Sequence, residues 1–325
     1  MTGRLQDGVF ARRAFAGRAY GVTGGACSMG EAVVRQLAAL GASVAVIDRD
    51  KAAVNRLTQD LAQESKMAPG RRPARPGGGQ PAILSICRDV TRAGVLDSAV
   101  RACMERFGRL DGWVNTVGIN RVGAALEQDD DEFRRVWEVN CLAARRACRL
   151  VAPILVDRGG GSIVNVSSIM VSQGAPGFGA YASSKLALEG MSSNLAVELA
   201  PRNVRVNVVV PGSVVRGGEP PAAAGDEAAP DDPAERAEFF RRRANARTAM
   251  HRQPRHAPGR AREIANVILF LLSDAASFIT GARIVVDGGS SAWFPAVPQE
   301  AFLAEYRDYE RMAALQRPLE GEAQP

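Results

Sequence analysis

Short runs that are apolar throughout alternate, along most of the chain, with longer stretches whose apolar positions recur every three or four residues. The first kind is RAYGV (18–22), ASVAVID (42–48), AILSICRDV (82–90), LDGWVNTVG (110–118), GSIVNVSS (161–168), NVRVNVVVPG (203–212) and ARIVVDGG (282–289), and it predicts strands. The second kind is EAVVRQLAAL, stopped by Gly41, together with 93–107, 130–157, 180–200 and 261–273, and it predicts amphipathic helices. Strands with no polar face, each separated from the next by a helix, belong in a parallel sheet covered on both sides. The predicted fold class is therefore α/β.

Three stretches break the rhythm. Residues 65–82 (SKMAPGRRPARPGGGQPA) are rich in Pro, Gly and Arg and read as a disordered surface insertion. Residues 213–258 are rich in Pro, Ala and charge, with a helix expected near 233–247. A connection that long inside a compact domain reads as a lid or binding loop. Residues 290–325 form an extension in which Phe302, Tyr306, Tyr309 and Met312 recur at helical spacing, so a docking amphipathic helix is expected there. No internal repeat is evident. The expected organisation is one domain over 1–289 followed by the extension.

Composition narrows the function classes. The 325 residues are 46% hydrophobic and 23% charged, an ordinary globular balance. The longest apolar run, Ile264 to Leu272, is broken by Asn266 and falls short of the ~20 residues that span a bilayer. The N-terminus carries arginines but no apolar signal core, and with Asp7 in it reads as a short lead-in. Five scattered cysteines (27, 87, 103, 141 and 148) make no C-x-x-C pair, and there are two histidines. No metal site is expected, and a reducing cytoplasmic setting is. The net charge of +6 suits a polyanionic partner, or it reflects the nucleotide composition of the genome. With no nucleic-acid-binding signature in the chain, the second reading is preferred.

The first strand runs into TGGACSMG (23–30), which opens a helix. Glycines at such a turn let backbone N–H groups approach a pyrophosphate at the helix N-terminus. Asp48 ends the second strand, where a carboxylate can accept both adenosine ribose hydroxyls and repel a 2′-phosphate. That favours NAD. Arg49, next in the chain, can pair with such a phosphate and leaves NADP open. The structural alternative for Asp48 is an N-cap for the helix that begins near Lys51.

The chain has 41 basic residues, and only Lys51, Lys66 and Lys185 are lysines. Lys185 closes YASSK, four residues after Tyr181, so on a helix the two side chains share a face. An ammonium ~4 Å from a phenol favours the phenolate by ~4 kcal/mol at an effective dielectric of ~20, against a desolvation term of opposite sign. The outcome is a phenol able to exchange a proton near neutral pH. Ser168 ends a strand thirteen residues earlier, where a hydroxyl can reach a substrate oxygen in the crevice beyond the sheet. Asn140 lies mid-helix, a poor place for asparagine, and its structural alternative is a solvated face.

Taken together these pieces resemble the short-chain dehydrogenase/reductase family, in its compact branch with one Rossmann domain, over residues 15–216 and 259–289. The matching motifs are TGGACSMG, Asp48, Asp89-Val90, NTVG (115–118), Asn140, Ser167-Ser168, YASSK, Asn207 with Pro211-Gly212, Thr280-Gly281 and VDGG (286–289). The resemblance implies a Rossmann-type doubly wound parallel sheet of about seven strands with helices on both faces. It implies an NAD(P)(H)-dependent oxidoreductase moving a hydride between nicotinamide and a secondary alcohol or ketone. Tyr181 would be the general acid/base, Ser168 the residue positioning the carbonyl or carbinol, Lys185 the partner of the nicotinamide ribose, and Asn140 the holder of a relay water. Thr23, Gly24, Ser28, Met29, Gly30, Asp48, Arg49, Asp89, Val90, Asn115, Val117, Gly118, Pro211, Gly212 and Val214 would line the cofactor with Tyr181 and Lys185. Asn115 reads equally well as a structural tie between strands. Homodimers or homotetramers through the helices at 130–157 and 180–200 are implied as well.

Some positions depart from the family pattern. Ser28 stands where the turn usually has its middle glycine, Val117 replaces a usual alanine, and Arg216 stands where a threonine commonly contacts the carboxamide. Arg216 reads either as a solvent-facing loop residue or as a cation at the pocket mouth. Arg145, Arg146 and Arg149 follow Asn140, in positions similar to those that meet an acidic carrier protein in 3-oxoacyl-carrier-protein reductases. Ion pairing at a subunit interface is the preferred reading for them. His251 and His256 read as surface residues, and Phe178, Phe239 and Phe240 as pocket lining or core. The rival functions are a cofactor-sensing or scaffold protein that has lost turnover and, on charge alone, a nucleic-acid binder.

Overall fold

The computed structural model of the chain describes residues 10–11, 13–67, 82–123, 126–175, 177–215 and 258–292. Most of the 65–82 insertion, Arg216, the helix expected near 233–247 with Phe239 and Phe240, His251, His256 and the helix expected in the C-terminal extension lie outside the described residues. Seven strands make one parallel sheet: β1 (Ala19–Thr23), β2 (Ser43–Asp48), β3 (Ile83–Cys87), β4 (Gly112–Asn115), β5 (Gly161–Val166), β6 (Val204–Pro211) and β9 (Arg283–Val286). Their order is β3-β2-β1-β4-β5-β6-β9. The chain starts mid-sheet, winds out to β3, then returns past β1 to β4 and winds the other way. The reversal between β1 and β4 opens a crevice beyond their carboxyl ends. Two further short strands, β7 (Val214–Val215) and β8 (Gly259–Arg260), pair with each other in parallel, so the chain leaves and re-enters the described fold side by side.

Strand periodicity sorts the core into two layers. Val44 and Val46 of β2 join Val22 and Val164 under helices α1 (Ser28–Ala39) and α7 (Ala261–Leu272), which contribute Val33, Leu37, Ile264 and Ile268. Ala45 and Ile47 of the same strand face the other way, towards Trp113 and Ile163 and helices α3 (Val95–Phe107) and α5 (Ala143–Asp157). Each fully buried aliphatic side chain contributes about 1.5–3 kcal/mol to this packing. Helix α2 (Lys51–Met67) covers β2 and β3, and α6 (Gly179–Leu199) runs beneath β5 and β6.

The span 130–157, expected as one helix, is interrupted. Helix α4 (Asp130–Trp137) passes into a π-helical turn at Glu138–Leu142 before α5 begins. A π turn inserts one residue into the helical ladder, and here it accompanies a buried asparagine whose amide is fully satisfied by tertiary partners. Gly21 and Trp113 form a second local device on adjacent strands. A Cβ on Gly21 would lie 2.1 Å from the indole ring, so the strand carries glycine where the tryptophan packs. No helix among the described residues is long and apolar enough to cross a membrane.

Candidate active site

Because the seven strands are parallel, their carboxyl ends share one edge of the sheet, and most of the expected site residues fall there by chain position alone. Thr23, Asp48, Asn115 and Pro211 are the last residues of β1, β2, β4 and β6. Asp89-Val90, Val117-Gly118, Ser168 and Gly212 follow β3, β4, β5 and β6, and Val214 opens β7.

The glycine turn is drawn tight against β4. Thr116 Oγ1 donates to the carbonyls of Thr23 at 2.7 Å and Gly24 at 3.3 Å. A Cβ on Gly24, whose φ is +71°, would meet that hydroxyl at 2.7 Å, and one on Gly30 would meet the Gly24 carbonyl at 2.1 Å. Cys27 at the N-cap places no side-chain bond on the first turn of α1, and its carbonyl accepts from Gly30 N at 3.0 Å and Glu31 N at 3.4 Å, so an anion there would be met by the N–H groups of Ser28 and Met29. Ser28 adopts φ +43°, in the left-handed region that favours glycine. Thr116, absent from the expected site residues, is what holds this turn. It lies within the NTVG motif (115–118), which was its signal in the sequence.

At the far end, Asp48 braces the same turn, its carboxylate accepting from Ala26 N at 3.2 Å and Asp50 N at 3.1 Å. Asp50, not Asp48, caps α2, accepting from Ala53 N at 3.0 Å. Arg49 is exposed. Asp89 accepts from Thr91 N at 2.9 Å, Thr91 Oγ1 at 2.7 Å and Arg135 at 3.2 Å. These donors hold its carboxyl below the usual range against the opposing effect of burial. Val90 is buried beside it.

Asn115 is a strand tie. Its Oδ1 accepts from Trp113 Nε1 at 3.0 Å and Thr23 Oγ1 at 3.2 Å, and its Nδ2 donates to Asn165 Oδ1 at 2.8 Å. Asn165 passes the chain on to Ser192 of α6 at 2.8 Å. A fully satisfied polar chain through a low-dielectric core is rigid, and here it joins the carboxyl edge of the sheet to the helix bearing Tyr181 and Lys185.

Lys185 is 2% exposed, and its Nζ lies 6.0 Å from the centroid of the Tyr181 ring, so the i, i+4 pair does face one way. Nζ donates to the Val166 carbonyl at 2.8 Å. Burial pushes the amine down to about 8, with the neighbouring Cys141 thiol acting weakly the other way. A Cβ on Gly118 would press to 3.2 Å from Nζ. Ser168, half-buried, starts a short 3-10 turn, and its Oγ accepts from Met170 N at 3.2 Å, which leaves the hydroxyl proton for another acceptor. Asn140 is interior, not solvated. Its Oδ1 accepts from Ile119 N at 2.8 Å, and its Nδ2 donates to Ile119 O at 2.9 Å and Ser184 Oγ at 3.0 Å. Phe178 packs edge-on to Tyr181 at 6.2 Å. Of the arginines after Asn140, Arg146 pairs with Glu138, whereas Arg145 and Arg149 are exposed.

Residues 24–291 match the family model described as Enoyl-(Acyl carrier protein) reductase. The chain is 33% identical to 3-oxoacyl-[acyl-carrier-protein] reductase FabG of Thermotoga maritima over 268 residues, covering 82% of this chain and 95% of that protein. The chain belongs to the short-chain dehydrogenase/reductase family. It is 34% identical to galactitol 2-dehydrogenase (L-tagatose-forming) of Cereibacter sphaeroides over 274 residues, 84% of this chain and 94% of that one. A solved short-chain dehydrogenase/reductase from Mycobacterium ulcerans superposes with a TM-score of 0.71 at 30% identity, covering 94% of this chain and 99% of that one. As a member of this family the protein is a nicotinamide-dependent oxidoreductase of alcohols and carbonyls.

Proposed function

We propose that the protein is an NAD-preferring oxidoreductase of secondary alcohols and ketones in which Tyr181 exchanges the proton with substrate. The observation that carries this reading is the buried Lys185 ammonium. It has three donors, and among the described residues one of them is used, on Val166. A cation that deep calls for further oxygen partners, and ribose hydroxyls together with a phenolate supply them. The tight glycine turn on Thr116 and the uncapped first turn of α1 fit a dinucleotide in the same edge.

When bound, the nicotinamide supplies or accepts the hydride. In the reductive direction a carbonyl becomes an alkoxide. Ser168 donates to that oxygen, Tyr181 delivers its phenolic proton, and the phenolate left behind lies on the Lys185 side of α6. Oxidation runs the same steps backwards. Asn140 keeps the segment after β4 in place under Lys185. Asp48, next to the glycine turn, supports NAD because a 2′-phosphate meets its charge there. Exposed apolar side chains on the π turn before α5 and on α6 (Leu142 at 39%, Leu186 at 56% and Val197 at 75%) support a homodimer or homotetramer through these helices. We infer one domain through residue 289 and a cytoplasmic setting.

The test is a panel of secondary alcohols and ketones followed by NADH and NADPH absorbance, with Tyr181→Phe alongside. The expected result is faster turnover with NAD(H), lowered about 10²–10⁴-fold by Tyr181→Phe with nucleotide binding intact. Turnover by Tyr181→Phe at the unmodified rate sinks the reading.

A further inference from the structure

The two serines of YASSK look like spacers in the sequence, yet each bridges a different pair of elements. Ser183 Oγ donates back to Gly179 O at 2.7 Å and accepts from Trp137 Nε1 of α4 at 3.2 Å. Ser184 is 0% exposed, donates to the Tyr181 carbonyl at 2.7 Å and accepts from Asn140 Nδ2 at 3.0 Å. We infer that Ser184 is a positioning residue for proton transfer, locking the main chain of Tyr181 to Asn140 and, through it, to the segment beneath Lys185.

The path is continuous and short. Asn140 holds both the N–H and the carbonyl of Ile119, the residue after Gly118, and Gly118 abuts Lys185 Nζ. The π turn brings Asn140 to the interior, and the Ser184 hydroxyl is the group on α6 that receives it. Ser184 stands between the two functional residues in the helix, three after Tyr181 and one before Lys185. Its bond to the Tyr181 carbonyl adds to the ordinary helical pattern and fixes that peptide from the core side. Without the hydroxyl, α6 and the π turn lose their link at the turn where phenol and amine must stay aligned. Misplacement of reacting groups by a fraction of an ångström costs rate rather than affinity.

The inference rests on the proposed roles of Tyr181 and Lys185, so its test runs beside Tyr181→Phe. Ser184→Ala should lower kcat about tenfold to a hundredfold, with KM and the nucleotide Kd within about twofold. Ser184→Thr, which keeps the hydroxyl, should restore most of the rate. Ser183→Ala, which removes the bonds to Gly179, Ala180 and Trp137 from the same helix off this path, should keep it. Asn140→Ala combined with Ser184→Ala should cost little more than the worse single change, because both cut one path. An unchanged kcat in Ser184→Ala, an equal loss in Ser183→Ala, or losses that multiply in the double variant overturns the inference. If Tyr181→Phe turns over normally, the site reading fails and not merely the role of Ser184.

Discussion

The Lys185 ammonium donates to the carbonyl of Val166, the last residue of β5, two residues before Ser168. One bond therefore ties the helix that carries the proposed acid/base to the strand that carries its partner hydroxyl. It also holds a cation in the interior, where charge is costly.

That cost has a pH signature. The amine titrates at about 8 in the fold against 10.5 for an ordinary lysine. Below pH 8 both folded and unfolded chains hold the proton, and the burial penalty is fully present. Between 8 and 10.5 the unfolded chain keeps a proton that the folded chain has released, so stability climbs with pH. Relative to Lys185→Met, the nucleotide-free protein should gain about 2 kcal/mol between pH 8 and 9.5 in urea unfolding. A constant gap across that range would mean that the ammonium is solvated.

Ser28 holds a left-handed backbone in the glycine turn, at φ +43°. Ser28→Gly should relieve that strain, stabilising the protein by about 0.5–1 kcal/mol after the extra chain entropy of glycine is subtracted. With the Cβ gone, the turn should also bind NAD more tightly. Thermal unfolding and a nucleotide titration read the two effects, and a lower Tm would count against strain at this residue.

Asp48 carries the charge behind the proposed NAD preference, and its oxygens hold Ala26 and Asp50 N–H groups. Asp48→Asn keeps an acceptor and removes the charge. The ratio of NADP to NAD affinity should rise about tenfold or more, read by equilibrium binding of both nucleotides. An unchanged ratio would assign the preference to other residues.

Gly21 lies where the Trp113 indole packs. Gly21→Ala should destabilise by about 1–3 kcal/mol or more through overpacking. Adding Trp113→Leu should recover part of the loss, although it removes the indole bond to Asn115. The double-mutant cycle in denaturant unfolding decides whether the two residues are coupled.

Much of this was readable from residue order. Runs such as SVAVID and VRVNVVVP can hardly be anything but buried strands, and the observed β2 and β6 differ from the expected spans by a residue or so at each end. Tyr181 and Lys185 were legible because i, i+4 spacing is a property of the helix itself. The break at Glu138–Leu142 was not legible, since a π turn is selected by what the inserted residue meets, here the backbone of Ile119 some twenty residues earlier. The capping assignment at α2 went to Asp50 for a similar reason. Asp48 and Asp50 are both suited to cap, and the packing of the glycine turn beside Asp48 decided between them.

The sequence by itself determined the alternation of strand and helix, the parallel sheet that follows from it, and therefore which residues gather at the carboxyl edge. These depend on periodicity and on chain direction, both local properties. The tertiary structure alone decided that Asn140 is interior, that Asn115 ties strands together, that Thr116 holds the glycine turn and that Ser184 joins Asn140 to Tyr181. Each of those is a hydrogen bond between groups far apart in the chain. Buried polar groups take the partner that folding brings to them, and residue order does not name it.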